Sequence, residues 1–119
     1  VSITVTVPEG SVGPIHITGN VAALGNLDGV GIAMTDEGSN VWSTTLELDK
    51  GSSLRYKYTR GSWDSVETDA TGASIEDRTV TITEDLVITD TVEGWDDDVA
   101  TVTFEASYGG WYPKSRGRK

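Results

Sequence analysis

Apolar and polar side chains alternate with period two in one short run after another along this chain. Ile3, Val5 and Val7 alternate with Thr4 and Thr6, and Trp42, Thr44, Leu46 and Leu48 share one face of a run that starts at Val41. Leu54, Tyr56 and Tyr58 alternate with Arg55, Lys57 and Thr59, and the runs Arg78 to Thr83 and Leu86 to Glu93 read the same way. Successive side chains of a strand point to opposite faces, so each run predicts a half-buried strand. Clusters such as Pro8-Glu9-Gly10, Asp36-Glu37-Gly38-Ser39-Asn40 and Asp49-Lys50-Gly51 separate the runs, and these are turn-forming residues. No stretch carries the apolar spacing of a ten-residue helix. The pattern predicts an all-β fold: an antiparallel, immunoglobulin-like β-sandwich of seven to eight strands with no helix longer than about two turns. Tyr56, Tyr58, Trp42 and Leu46 are expected inside it, and Lys57 outside.

The 119 residues suffice for one core but not two. Charge narrows the partners. The chain carries a net charge of −10, yet four of its nine basic residues (Lys114, Arg116, Arg118, Lys119) lie in the last six positions. Residues 1 to 113 therefore set five bases against nineteen acids, a net charge of −14. Such a body repels phosphate backbones, which argues against nucleic-acid binding, whereas a neutral polysaccharide is electrostatically indifferent to it. No apolar run approaches the ~20 residues of a membrane span.

Catalytic and metal chemistry find little support. With no cysteine there is neither a disulfide framework nor a thiolate metal site. The single histidine, His16, lies within an apolar strand-like run, where a structural imidazole is the expected role. Asp96-Asp97-Asp98 lacks the spaced oxygen ligands and intervening glycine of a calcium loop and reads as a solvated charge run. The expectation is a protein without catalytic residues, metal or cofactor.

One stretch does carry ligand chemistry. The strand Leu54 to Thr59 runs into Arg60-Gly61-Ser62-Trp63-Asp64-Ser65-Val66-Glu67, which sets an indole beside a cation and two carboxylates. A flat aromatic accepts the C–H face of a sugar ring, and long polar side chains reach its hydroxyls.

The ordered set Gly19-Asn20-Val21-Ala22-Ala23-Leu24-Gly25-Asn26, Val41-Trp42-Ser43-Thr44-Thr45-Leu46-Glu47-Leu48, Tyr56-Lys57-Tyr58-Thr59-Arg60, Asp77-Arg78-Thr79-Val80-Thr81 and Asp90-Thr91-Val92-Glu93-Gly94-Trp95 resembles the starch-binding domain, carbohydrate-binding module family 20. The resemblance runs from Val1 to about Trp95. It implies a non-catalytic β-sandwich that binds α-glucans (starch, maltooligosaccharides), attached to an amylolytic enzyme or another exported protein, and hence an extracellular or cell-surface location. Carried over residue by residue, Lys57 matches the family's binding lysine and Asp77 its polar position before the arginine. The family's first stacking Trp is replaced here by Leu27, and its second aligns with Thr68, five residues beyond Trp63. The expected site is therefore Trp63 as the stacking surface, Lys57, Glu67 and Asp77 as hydrogen-bonding groups, and Arg60 and Asp64 at the rim. Trp42 and Trp95 match structural positions.

Residues 1–95 are expected to form the sandwich, and residues 96–119 a C-terminal extension. In that extension Thr101 to Phe104 echoes the first strand and precedes an aromatic, then basic, tail; it reads as an extra strand or the start of a following module. The alternative function is a structural β-sandwich module or subunit of an extracellular assembly, joined to neighbours through residues 99–119. That segment is expected to dock beside the first strand or on a neighbouring molecule.

Overall fold

The structure, a computed structural model, describes residues 1–97. Its strands are β1 (Ser2–Thr6), β2 (His16–Gly19), β3 (Ile32–Ala33), β4 (Thr35–Gly38), β5 (Val41–Thr45), β6 (Ser53–Thr59), β7 (Glu67–Thr68), β8 (Arg78–Thr81), β9 (Val87–Thr91) and β10 (Gly94–Trp95). Seven of them are four residues or longer, and three are two-residue pairings. Two single 3-10 turns, Ala22–Leu24 and Trp63–Ser65, are the helical elements among the described residues. One four-stranded sheet has the order β4-β5-β1-β9, a second β3-β2-β6-β8, and β7 pairs with β10. The polar segment 64–77 contains β7.

Every pairing is antiparallel except β1 with β9. This departs from the fully antiparallel expectation, because alternation reveals faces but not strand direction. The cause lies in the turn at 82–86. The chain leaves β8 in the second sheet at the end where β1 begins, as the hydrogen bond from Ser2 N–H to Leu86 C=O at 2.9 Å records. Starting there, β9 runs alongside β1 in the same direction, with Ser2 opposite Val87 and Thr6 opposite Thr91.

The alternating runs bury the faces they predict. Ile3, Val5, Ile17, Leu24, Leu54 and Tyr58 are fully buried, and Tyr56 and Leu46 nearly so. Trp42 is half-buried, packed on the core with its ring edge against Gly13. Both edges of β1 are occupied, by β5 and by β9. Residues 99–119 themselves lie outside the described residues.

A polar clasp joins the sheets. Asp90 of β9 stands opposite inward-facing Val5 and accepts hydrogen bonds from Tyr56 Oη at 2.7 Å and Tyr58 Oη at 2.8 Å. The two rings meet edge to face at 5.8 Å between centroids. Burial first, and then the neighbouring Asp90, push both phenol pKa values up, so both hydroxyls remain protonated donors. Arg78 of β8 completes the clasp, 3.4 Å from Asp90 and forked onto Glu67 of β7. Burial alone would lower the Arg78 pKa, but hydrogen bonding and charge from Glu67, with Asp90 beyond, raise it instead and keep the guanidinium charged. The Tyr56-x-Tyr58 repeat, the Asp77-Arg78 pair and Asp90 are thus parts of one device. They hold a sandwich whose outer face carries the site.

Candidate functional site

The strand that sends Tyr56 and Tyr58 inward sends Lys57 and Thr59 outward. Its partner β2 sends Thr18, opposite Lys57, and His16, opposite Thr59, to that same outer face. The loop 20–31 lies across this face and is fastened to it at several points. Thr18 Oγ1 accepts from Gly29 N–H at 3.2 Å, and Thr59 Oγ1 donates to Gly29 C=O at 2.8 Å. His16 Nδ1 lies 2.8 Å from Val30 C=O, which fixes that nitrogen as the protonated one. Asn20 accepts from Arg55 N–H at 2.9 Å and donates to Ser53 C=O at 3.0 Å. Buried threonines on an exposed sheet face make sense as anchors, since each hydroxyl satisfies backbone groups that the loop would otherwise leave unpaired.

Glycines let the loop lie this close. Gly31 has φ +54°, and a Cβ there would sit 1.8 Å from Ile17 O. Gly29, at φ +85°, leaves room for the Trp63 indole, because its absent Cβ would fall 2.7 Å from the ring's Cδ1. Asp28 organises the bend between them, accepting from Val30 N–H at 2.9 Å and Gly31 N–H at 2.8 Å. Those bonds, Gly31's first, hold its carboxyl below the usual aspartate value.

Trp63 begins the second 3-10 turn, and its indole is fixed from two sides. It rests on Gly29, and its Nε1–H donates to Leu27 C=O at 3.2 Å. Trp63 is 40% exposed, and it is held by a loop and a turn that are each tied to the sheet. Asp64 follows it, also exposed.

The expected polar residues divide. Lys57 is on the right face but largely covered: Nζ donates to Ile75 C=O at 2.6 Å and lies 3.8 Å from Asp77. Asp77 is half-buried, paired to Arg55 at 3.1 Å, with one edge toward solvent. Two residues need correction. Glu67, expected to bind hydroxyls, has no exposed side-chain surface; it accepts from Tyr58 N–H at 3.0 Å and from Arg78 Nη2 at 2.7 Å. Period two within β7 turns it toward β6 and the clasp, away from the platform. Arg60, expected at the rim, lies over the buried Trp95 ring at 5.5 Å and pairs with Asp97. Trp95 in turn donates from Nε1 to Ser11 Oγ at 3.0 Å and closes that end of the sandwich. Conversely, sequence reasoning missed Thr18, Asp28, Gly29 and Thr59. The run Gly25-Asn26-Leu27-Asp28-Gly29-Val30-Gly31 was the available signal, since alternate glycines around an Asp mark a loop pressed against another backbone.

Comparison with known proteins agrees with this architecture. The starch binding domain family model matches residues 1–92. The chain belongs to the starch-binding domain family. Among curated relatives of this starch-binding domain, an amylopullulanase of Thermoanaerobacterium thermosulfurigenes is 37% identical over 102 residues, 82% of this chain and 5% of the relative. An α-amylase of Niallia circulans is 38% identical over 85 residues, 71% of this chain and 6% of the relative. The starch-binding domain thus spans about a twentieth of the length of these enzymes. Among solved structures, the family 20 module of a maltotetraose-forming amylase from Pseudomonas saccharophila superposes with a TM-score of 0.53 at 17% identity, covering 76% of this chain and 99% of that one. A family 15 glucoamylase from Hypocrea jecorina gives a TM-score of 0.57 at 26% identity, over 82% of this chain and 17% of that one. In this starch-binding domain, Leu27 and Trp63 lie side by side, joined by the bond from Trp63 Nε1–H to Leu27 C=O.

Proposed function

We propose that this domain is a non-catalytic module that binds α-glucans such as starch and maltooligosaccharides and holds an appended amylolytic enzyme against them outside the cell. The observation that carries the reading is the Trp63 indole, partly exposed and held by Leu27 C=O and Gly29. Stacking of a glucose ring on that face supplies the apolar contact, and the exposed edges of Asp77, Asp64 and Asp28 accept hydrogen bonds from its hydroxyls. Lys57 contributes by fixing the 75–77 segment and, through its remaining N–H groups, at the edge of the site. Family membership supports the ligand class, and the amylolytic relatives support the setting. Titration with maltoheptaose or β-cyclodextrin is expected to change Trp fluorescence with Kd between micromolar and millimolar. Trp63→Ala is expected to abolish that change while leaving the melting temperature nearly in place. A saturable response that survives in Trp63→Ala would refute the assignment of the platform.

A further inference from the structure

We infer that Thr59 is a positioning residue of the sugar site: its hydroxyl locks together the two segments that carry Trp63 and so sets where the indole stands. The inference rests on Trp63 being the stacking surface, as proposed above. Thr59 ends β6 and is fully buried, so it acts on a sugar through other groups and not by contact. Its Oγ1 works in both directions. It donates to Gly29 C=O at 2.8 Å and accepts from Gly61 N–H at 3.1 Å.

Each of those glycines sits at the foot of the indole. A Cβ on Gly29 would fall 2.7 Å from the ring's Cδ1 and 2.9 Å from Trp63 N, so Gly29 packs on both the ring and its backbone. Gly61 precedes Trp63 by two residues, at the entry to the turn. Their φ angles are +85° and +118°, conformations that glycine adopts freely and other residues resist. Two loosely restricted points of the backbone are thus fixed by one hydroxyl. Other bonds close each segment on itself. Asp28 closes the loop, while Ser65 Oγ closes the turn, accepting from Arg60 N–H and donating to Ser62 C=O, each at 3.0 Å. Thr59 joins loop to turn, and the bond from Trp63 Nε1–H to Leu27 C=O spans the same junction. Without the hydroxyl, the buried Gly29 C=O and the Gly61 N–H lose their shared partner, and loop or turn must shift to replace it. A sugar then binds only the fraction of molecules whose indole is in place, and the apparent affinity falls by that fraction.

The test compares Thr59→Val, which removes the hydroxyl at nearly constant volume, with Thr59→Ser, which keeps it. Urea unfolding reads stability, the NMR signal of the Trp63 indole N–H reads the junction, and maltoheptaose titration well below the melting temperature reads the site. Thr59→Val is expected to move the indole signal and weaken binding about tenfold, as when the competent fraction falls to about one-tenth. Thr59→Ser is expected to restore both to within about twofold of native. Lowered stability in Thr59→Val with the indole signal unmoved and binding within about twofold of native would show a merely structural hydroxyl. That result would overturn the positioning role and leave the α-glucan reading standing. Amide exchange in the native chain tests the same junction even if Thr59→Val does not fold. Saturating maltoheptaose is expected to slow exchange of the Gly61 N–H and of the Trp63 indole N–H together, and a Gly61 N–H that does not respond while the indole does would overturn the inference. A native chain that binds no maltoheptaose would overturn the α-glucan reading and this inference with it.

Discussion

Replacing Glu67 with glutamine separates a structural role from a sugar-binding one with a change of almost no volume. In the native clasp the Glu67 carboxylate accepts two N–H groups of Arg78, at 3.0 and 2.7 Å, and the Tyr58 N–H at 3.0 Å, with no solvent-exposed side-chain surface. A glutamine amide keeps one acceptor oxygen and turns an N–H2 group toward the guanidinium, donor against donor. The guanidinium then lies mostly buried without its counter-charge. Removing one partner of a buried pair costs about 3–5 kcal/mol. Arg78 keeps Asp90 at 3.4 Å and Thr91 C=O at 2.8 Å, and its side chain is 23% exposed, which places the cost near the lower end. About 3 kcal/mol corresponds to a fall in Tm of about 12 °C for a domain of this size. Thermal and urea unfolding of Glu67→Gln read the stability, and a maltooligosaccharide titration well below the new Tm reads the site. The expected outcome is a large loss of stability with glucan affinity unchanged. A Tm within about 2 °C of native, with affinity weakened about tenfold, would refute the structural role and return Glu67 to the sugar face.

Other outcomes follow from the same geometry. Leu27→Trp places a second ring beside Trp63 and is expected to tighten maltoheptaose binding by about tenfold while leaving maltose nearly unchanged, read by calorimetry. Gly29→Ala forces a Cβ into the indole at a positive φ; it is expected to cost about 1–2 kcal/mol in urea unfolding and to move the Trp63 fluorescence maximum. Asp28 has its folded pKa held below the usual aspartate value by its bonds to Gly31 and Val30, so its contribution to the loop is complete above that usual value and is lost as pH falls through the lower folded one. Sugar binding is accordingly expected to hold from neutral pH down to about 4 and to be lost only as pH falls further, through the lowered folded pKa; binding lost already at pH 6 would refute this.

The fold was legible because period two is a local property. Whether Tyr56 and Tyr58 face inward is decided by their neighbours in sequence and by little else. Strand direction was not legible: that β9 runs parallel to β1 depends on where the 82–86 turn crosses between sheets, which no alternation encodes. The site divides along the same line. Trp63 could be picked out because a tryptophan after Arg-Gly-Ser at the end of a strand has no place in the alternating core. Glu67 and Arg60 were misassigned because a carboxylate and a guanidinium look equally polar in solvent and in a clasp. Only their long-range partners, Arg78 eleven residues away and Asp97 thirty-seven residues away, decide between the two.

Strand β6 explains why fold and platform can change independently in this chain. Its inward residues, Tyr56 and Tyr58, close the sandwich through Asp90, while its outward Thr59 holds Gly29 and so the seat of Trp63. The two faces share a backbone but no side-chain partners: the clasp runs through Glu67, Arg78 and Asp90, the platform through Thr18, Thr59, Asp28 and Gly29. Effects at sites without shared partners add. Substitutions at the seat of Trp63, Leu27 among them, are therefore expected to leave the stability contributed by the clasp unchanged, read as additive shifts in urea unfolding of Leu27→Trp combined with Glu67→Gln.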